Sequence, residues 1–146
     1  MNAYKALGIA RDLMKWHGLE DWSLSYDRAV RRFGVCRRAD RHIGLSMKLV
    51  ELNGEDAVID TILHEIAHAL SPAHVGHGYQ WRVIARSVGC DARRCYGSGV
   101  ITPPRKYLGT CLAGHTVERH KRRVGASCSR CSPVFDNRYL FTWTVK

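Results

Sequence analysis

Long apolar runs are missing from this chain. No stretch reaches the roughly 20 residues of a membrane-spanning helix, so no membrane contact is expected. The opening residues Met1-Asn2-Ala3-Tyr4-Lys5 lead to Arg11, Asp12 and Lys15, which interrupt any signal-peptide-like apolar segment. That points to the cytoplasm. Six cysteines in that compartment argue for metal binding or burial before disulfides. Internal repeats are absent too. Acidic residues are scarce, 13 against 23 Lys and Arg, giving a net charge of +10. A chain of 146 residues holds one ordinary domain and a small appendage, and a monomer is expected.

The charge is unevenly spread. Residues 1–46 carry +4, residues 47–81 carry −4 and residues 82–146 carry +10. Arg28, Arg31, Arg32, Arg37, Arg38 and Arg41 crowd the first flank, and Arg119, Lys121, Arg122 and Arg123 the last. Basic clusters on separate segments suit a polyphosphate backbone. The last four are candidate nucleic-acid contacts, with DNA as a sequence-independent partner, because no base-reading element is recognisable. Tyr107, Phe135, Tyr139 and Trp143 are candidates to stack on unpaired bases. A solubility surface is the plainer reading of the same charges.

Within the acidic middle stands His64-Glu65-Ile66-Ala67-His68, an HExxH string. On a helix, positions i and i+4 lie about 40° apart around the axis and roughly 6 Å along it. Two imidazoles so placed can grip one Zn²⁺, and Glu65 can serve as general base toward a water. Asn53-Gly54 reads as a turn, and Glu55 and Asp56 suit a first helical turn. Ile59, Ile62, Leu63, Ile66 and Leu70 form an apolar stripe. His64 and His68 fall opposite it, with Ala57 and Thr61, facing a cleft.

A catalytic zinc takes a third protein ligand. His74 has the spacing HExxHxxGxxH, but Ser71 stands where that pattern has Gly. His77 lies between Gly76 and Gly78 at the mouth of a second expected helix, Tyr79 to Val88, with Trp81, Val83, Ile84 and Val88 as its core face. Packing on both sides favours His77, and His74 remains the alternative.

Further along, Cys128-Ser129-Arg130-Cys131 is a CxxC knuckle, half of a structural zinc site. The upstream half lacks a second cysteine: after Cys111 come Gly114 and His115. The expected set is Cys111, His115, Cys128 and Cys131, with His120 in reserve. Cys90 and Cys95 have poor spacing for zinc and, with Cys36, read as buried or incidental thiols.

In order, residues 2–17 read as a helix, Trp22 to Tyr26 as a strand, and Asp27 as the cap of a short helix through Phe33. Val35 to Arg38 and His42 to Ser46 read as a hairpin, and residues 89–106 as a linker. The strand at Ile43 to Ser46 is the candidate edge on which an extended substrate adds.

HEIAH followed by a loop and His77-Gly78-x-x-Trp81 resembles the SprT-like metalloproteases, which include the Spartan proteases. Phe33-Gly34-Val35-Cys36-Arg37 and Arg41-His42-Ile43-Gly44-Leu45-Ser46 are similar to the family's basic strand pair, and the cysteine-rich ending matches as well. The likeness covers roughly residues 20–143 and is nearest to compact bacterial or phage versions. It implies that His77 is the third zinc ligand, and that the activity is zinc-dependent proteolysis, often associated with DNA.

The expected architecture is therefore α+β. A zincin-like protease domain with a small sheet and the HExxH helix spans residues 1–100, followed by a zinc ribbon over 101–146. One catalytic and one structural zinc, a protein substrate, and a cytoplasmic, nucleoid-associated location follow. The alternatives are a zinc peptidase that cuts a regulatory protein without DNA, and a non-catalytic DNA-binding zinc protein.

Overall fold

The structure is a computed structural model that describes residues 1–146 apart from Tyr96 and Ser98. It is of mixed α and β type with two small sheets, in two compact units, Met1–Pro103 and Pro104–Lys146.

In the first unit, Asn2 caps helix α1 (Ala3–Trp16), its side chain accepting from the N–H groups of Tyr4 and Lys5. Ala6, Ala10 and Met14, spaced by one helical turn, are buried against helix α3 (Glu55–Leu70), and Trp16 is exposed. Strands β1 (Ser23–Asp27), β2 (Gly34–Arg37) and β3 (His42–Ser46) form a sheet in the order β1-β3-β2. β1 runs parallel to β3, and β2 antiparallel to it. Ser46 caps the short helix α2 (Met47–Leu52) through a bond from Leu49 N–H.

Three expectations are corrected here. Residues 28–33 are not helical. Asp27 does accept from Ala29 N–H, but the turn stops because the Ser46 hydroxyl takes the Ala29 carbonyl and Ser46 N–H takes that of Phe33. The strand from His42 to Ser46 is not an edge. It is the central strand, flanked on both sides, and Ile43, Gly44, Leu45 and Ser46 are all buried, as a doubly covered strand requires. The edge nearest α3 belongs to β2.

Nor do residues 89–103 form a free linker. The Asn53 side chain accepts from Ile101 N–H at 2.7 Å and donates to its carbonyl at 2.8 Å. Asp60 accepts from Asp91 N–H, Cys90 and Ala92 are buried, and Val100 packs on the main core. The linker reading at Tyr96 and Ser98 lies outside the described residues.

Helix α3 is the spine of this unit and is covered on more than one side. Val58, Ile62, Ile66 and Ala69 join the main core with α1 and the sheet, while Leu63 and Ala67 face helix α4 (Tyr79–Ser87). Leu70, expected in the core stripe, is 39 % exposed, because the helix ends at Ser71-Pro72. On α4, Trp81 and Ala85 are buried and Ile84 is half-buried, but Val83 is 46 % exposed.

The second unit is a three-stranded antiparallel sheet in the order β5-β4-β6: β4 (Tyr107–Thr110), β5 (Thr116–Arg119) and β6 (Thr142–Val145). Gly109 lies under the Trp143 ring, where a Cβ would stand 2.9 Å from the indole. Only Gly109, Cys111 and Cys128 are buried among residues 104–146. Among the described residues no helix is long and apolar enough to cross a membrane.

Candidate metal centres

His64 and His68 project from α3 one turn apart, and His77 reaches them from the loop before α4. Their Nε2 atoms converge at 3.0 Å (His64–His77), 3.2 Å (His64–His68) and 3.0 Å (His68–His77). Ligands held about 2.0–2.1 Å from one tetrahedral ion lie roughly 3.3 Å apart, so the spacing fits a single zinc. The loop achieves this with two left-handed residues, His74 (φ 71°) and Gly76 (φ 51°). A tight turn follows, with Gly78 N–H donating to the Val75 carbonyl at 2.9 Å. A Cβ on Gly78 would meet that same carbonyl oxygen at 2.9 Å. His74 lines the cleft but is not in the cluster.

Beneath the cluster lies Trp81, fully buried, its ring 4.6–5.1 Å from all three imidazoles. Burial lowers the proton affinity of the three histidines, and so does the positive charge around them. His68 falls to about 4, with His64, His77 and Arg38 adding to desolvation. His64 and His77 shift the same way, His77 under Arg94 and Arg82 as well. Neutral imidazoles with free Nε2 lone pairs are the form a metal needs.

Glu65 is 6 % exposed and borders the same cleft of about 480 Å³. Desolvation pushes its carboxyl up to about 8, against the opposing pull of Arg32 and a hydrogen bond from the Cys36 amide. Strand β2, Arg31, Arg32, Arg93, Arg94 and Cys95 line other parts of the wall. Cys36 is half-buried there, its thiol pushed up to about 11 by burial and by Glu65.

Several arginines of the first basic flank have structural partners. The Arg38 guanidinium donates to the carbonyls of His68 and Ser71, capping the end of α3. Arg32 pairs with Asp27, and Arg41 with Asp21. The clustering of charge in the sequence did not reveal the Arg38 partners, because a carbonyl partner leaves no charge signal there. Tyr79 is 80 % exposed and is not among the cleft-lining residues. Sequence reasoning also missed the group Asp60, Cys90 and Asp91, whose ligand atoms lie within 4.8 Å of one another. The Cys90 thiol is pushed up to about 12 by burial and hydrogen-bonds Asp60.

In the second unit, Cys111, His115, Cys128 and Cys131 come together. Cys111 Sγ is 3.7 Å from Cys131 Sγ, and His115 Nδ1 is 3.2 Å from Cys131 Sγ and 3.7 Å from the sulfurs of Cys111 and Cys128. Around one zinc such atoms lie about 3.5–3.8 Å apart. Gly114 (φ 80°) makes the turn that brings His115 where a ribbon would offer cysteine. His120 is outside this group. Burial works to raise the Cys128 thiol, but N–H bonds from Arg130 and Cys131 and its neighbouring thiols bring it below its ordinary value. Burial and the shared proton push its partner Cys131 up to about 12.

The sequence model of the SprT-like family matches residues 10–99. The chain is also similar to Protein SprT of Pseudomonas putida (strain GB-1), 28 % identical over 126 residues, spanning 76 % of this chain and 77 % of that protein. The family match takes in more than half of the chain and most of the first unit, and the chain belongs to the SprT-like family.

Proposed function

We propose that this chain is a zinc metalloendopeptidase of the HExxH, zincin-like type, acting on protein substrates in association with DNA. The observation that carries the peptidase reading is the convergence of three neutral imidazole nitrogens beside a buried carboxyl in an open cleft. His64, His68 and His77 would hold the zinc. Bound there, the ion supplies Lewis acidity that polarises a peptide carbonyl and acidifies water. Glu65 takes the proton from the water as it attacks the carbonyl carbon, then delivers that proton to the departing amine.

Metal analysis tests the ligand sets. Native protein should hold close to two zinc ions per chain, matching the two His and Cys/His clusters. His77→Ala should reduce this to one, while His74→Ala keeps two and much of the rate. The reverse pattern would move the third ligand to His74 and undo the proposed centre.

The DNA reading rests on the second unit. Arg119, Arg123 and Arg130 surround a groove of about 300 Å³ floored by Phe141 and Trp143, whose rings lie 5.8 Å apart. Two of the other expected stacking residues, Tyr107 and Tyr139, lie under arginines. Arg122 covers the Tyr107 ring, Arg138 lies over Tyr139, and the Trp143 indole N–H donates to the Arg123 carbonyl. Phe135 stays 63 % exposed. Neutralising Arg119, Lys121, Arg122 and Arg123 together should weaken binding to every DNA sequence alike. The slope of log affinity against log salt should flatten by up to about 0.7–0.9 per lost phosphate contact. Titrations with single-stranded and duplex oligonucleotides measure it. No binding at low salt would leave a peptidase of protein regulators. DNA binding by a chain that cleaves nothing would favour the non-catalytic alternative.

A further inference from the structure

Strand β2 has one paired side and one open side. Ser46 N–H donates to the Phe33 carbonyl at 2.7 Å, and antiparallel pairs alternate between bonded and non-bonded. Counting from that bond, Val35 opposite Gly44 is a bonded pair. Gly34 opposite Leu45 and Cys36 opposite Ile43 are not. The backbone groups of Gly34 and Cys36 therefore face away from β3, toward α3.

Glu65 sits on that side. Its carboxylate accepts the Cys36 N–H. A Cβ built on Gly34 would stand 2.6 Å from Glu65 Cγ, 2.7 Å from Oε1 and 2.9 Å from Cδ. Carbon atoms in contact rest about 3.5–4.0 Å apart, so even alanine does not fit while Glu65 keeps its place. The atoms met belong to a side chain and not to backbone. The clash is relieved by displacing Glu65 and not by opening the sheet.

The geometry points to Gly34 as a positioning residue for Glu65: the bare strand edge gives the carboxylate its seat, and the Cys36 amide holds it there. This rests on the peptidase reading, since it assigns Glu65 a position to keep. A general base must sit within hydrogen-bond reach of the proton it removes, and a misplacement of about 1 Å costs on the order of a hundredfold in rate.

The test uses the full zinc-loaded chain with casein as substrate, alongside the amide resonance of Cys36 in the ¹⁵N–¹H spectrum. Gly34→Ala should retain zinc and KM, lower kcat roughly ten- to a hundredfold, and move the Cys36 resonance as Glu65→Ala does. Glu65→Asp is shorter by one methylene, so adding Gly34→Ala in that background should cost much less than it does in the native one. Cys36→Pro removes the same amide from the open side of an edge strand, where proline is tolerated. It should lower kcat as Gly34→Ala does, whereas Cys36→Ala keeps the amide and should not. Native kcat with an unmoved Cys36 resonance in Gly34→Ala overturns the inference. So does an equal loss in both backgrounds accompanied by loss of zinc. Should the native chain cleave nothing, the peptidase reading fails, and the Cys36 resonance still decides whether Gly34 seats Glu65.

Discussion

Glu65→Gln is expected to leave both metal centres filled and the first unit folded, yet to slow cleavage of an unstructured protein by about 10²–10⁴-fold, the usual contribution of a positioned general base. Gln matches Glu in volume, which matters at a site that is 6 % exposed. Its amide oxygen can still accept the Cys36 N–H that the carboxylate accepts. What it lacks is basicity. The three imidazoles do not change, so zinc content stays level and serves as the control. Rates are compared at equal zinc occupancy on native and variant protein. A variant as active as the native chain would take proton transfer away from Glu65 and sink the mechanism.

Removing the metal from the second unit is expected to unfold residues 104–146. Apart from Gly109, the residues buried there are Cys111 and Cys128, themselves members of the ligand set. The Cys/His cluster is thus the core of this unit. A module of this size rarely closes without a metal or disulfides, and structural zinc supplies apparent binding energies of about 10–16 kcal/mol to zinc-finger peptides. Cys128→Ser with Cys131→Ser, or a strong chelator, should therefore abolish amide-exchange protection in β4, β5 and β6. The cluster of Ala6, Met14, Ile43, Ile62 and Ile66 contains no metal ligand, and protection there should persist. Undiminished protection in residues 107–145 after the metal is gone would mean that the strands hold themselves together.

The local parts of this molecule were legible because they depend on short spacings. HExxH sets two imidazoles one turn apart wherever a helix forms, and the flanking Gly76 and Gly78 marked His77 as the residue at a tight turn. CxxC with a distant Cys and His similarly announced its own cluster. What could not be read was the order of strands. The parallel partnership of β1 with β3 joins Ser23 to His42 across an intervening strand, and no periodicity encodes it. Assigning the edge to Ile43–Ser46 followed from that gap. One signal was present: Ile43 to Ser46 carry no charge, as a doubly covered strand should, whereas Arg37 ends β2 and Arg38 follows it. The linker reading failed for a related reason. Gly, Ser and Pro between residues 89 and 106 look loose, but Asn53, 48 positions away, satisfies both backbone groups of Ile101.

That last pairing has a temporal side. A ribosome releases the chain from its amino end, so the three clustered histidines emerge before Arg93, Arg94 and Cys95, which complete the cleft wall. Arg93, Arg94 and Cys95 border it, and the segment carrying them is tied down at Asp60 and again at Asn53. Until Ile101 has left the exit tunnel, the Asn53 side-chain oxygen lacks the Ile101 N–H and this wall has only its Asp60 anchor. A nascent chain thus carries its three imidazoles in an unfinished cleft until residue 101 is free to pair with Asn53.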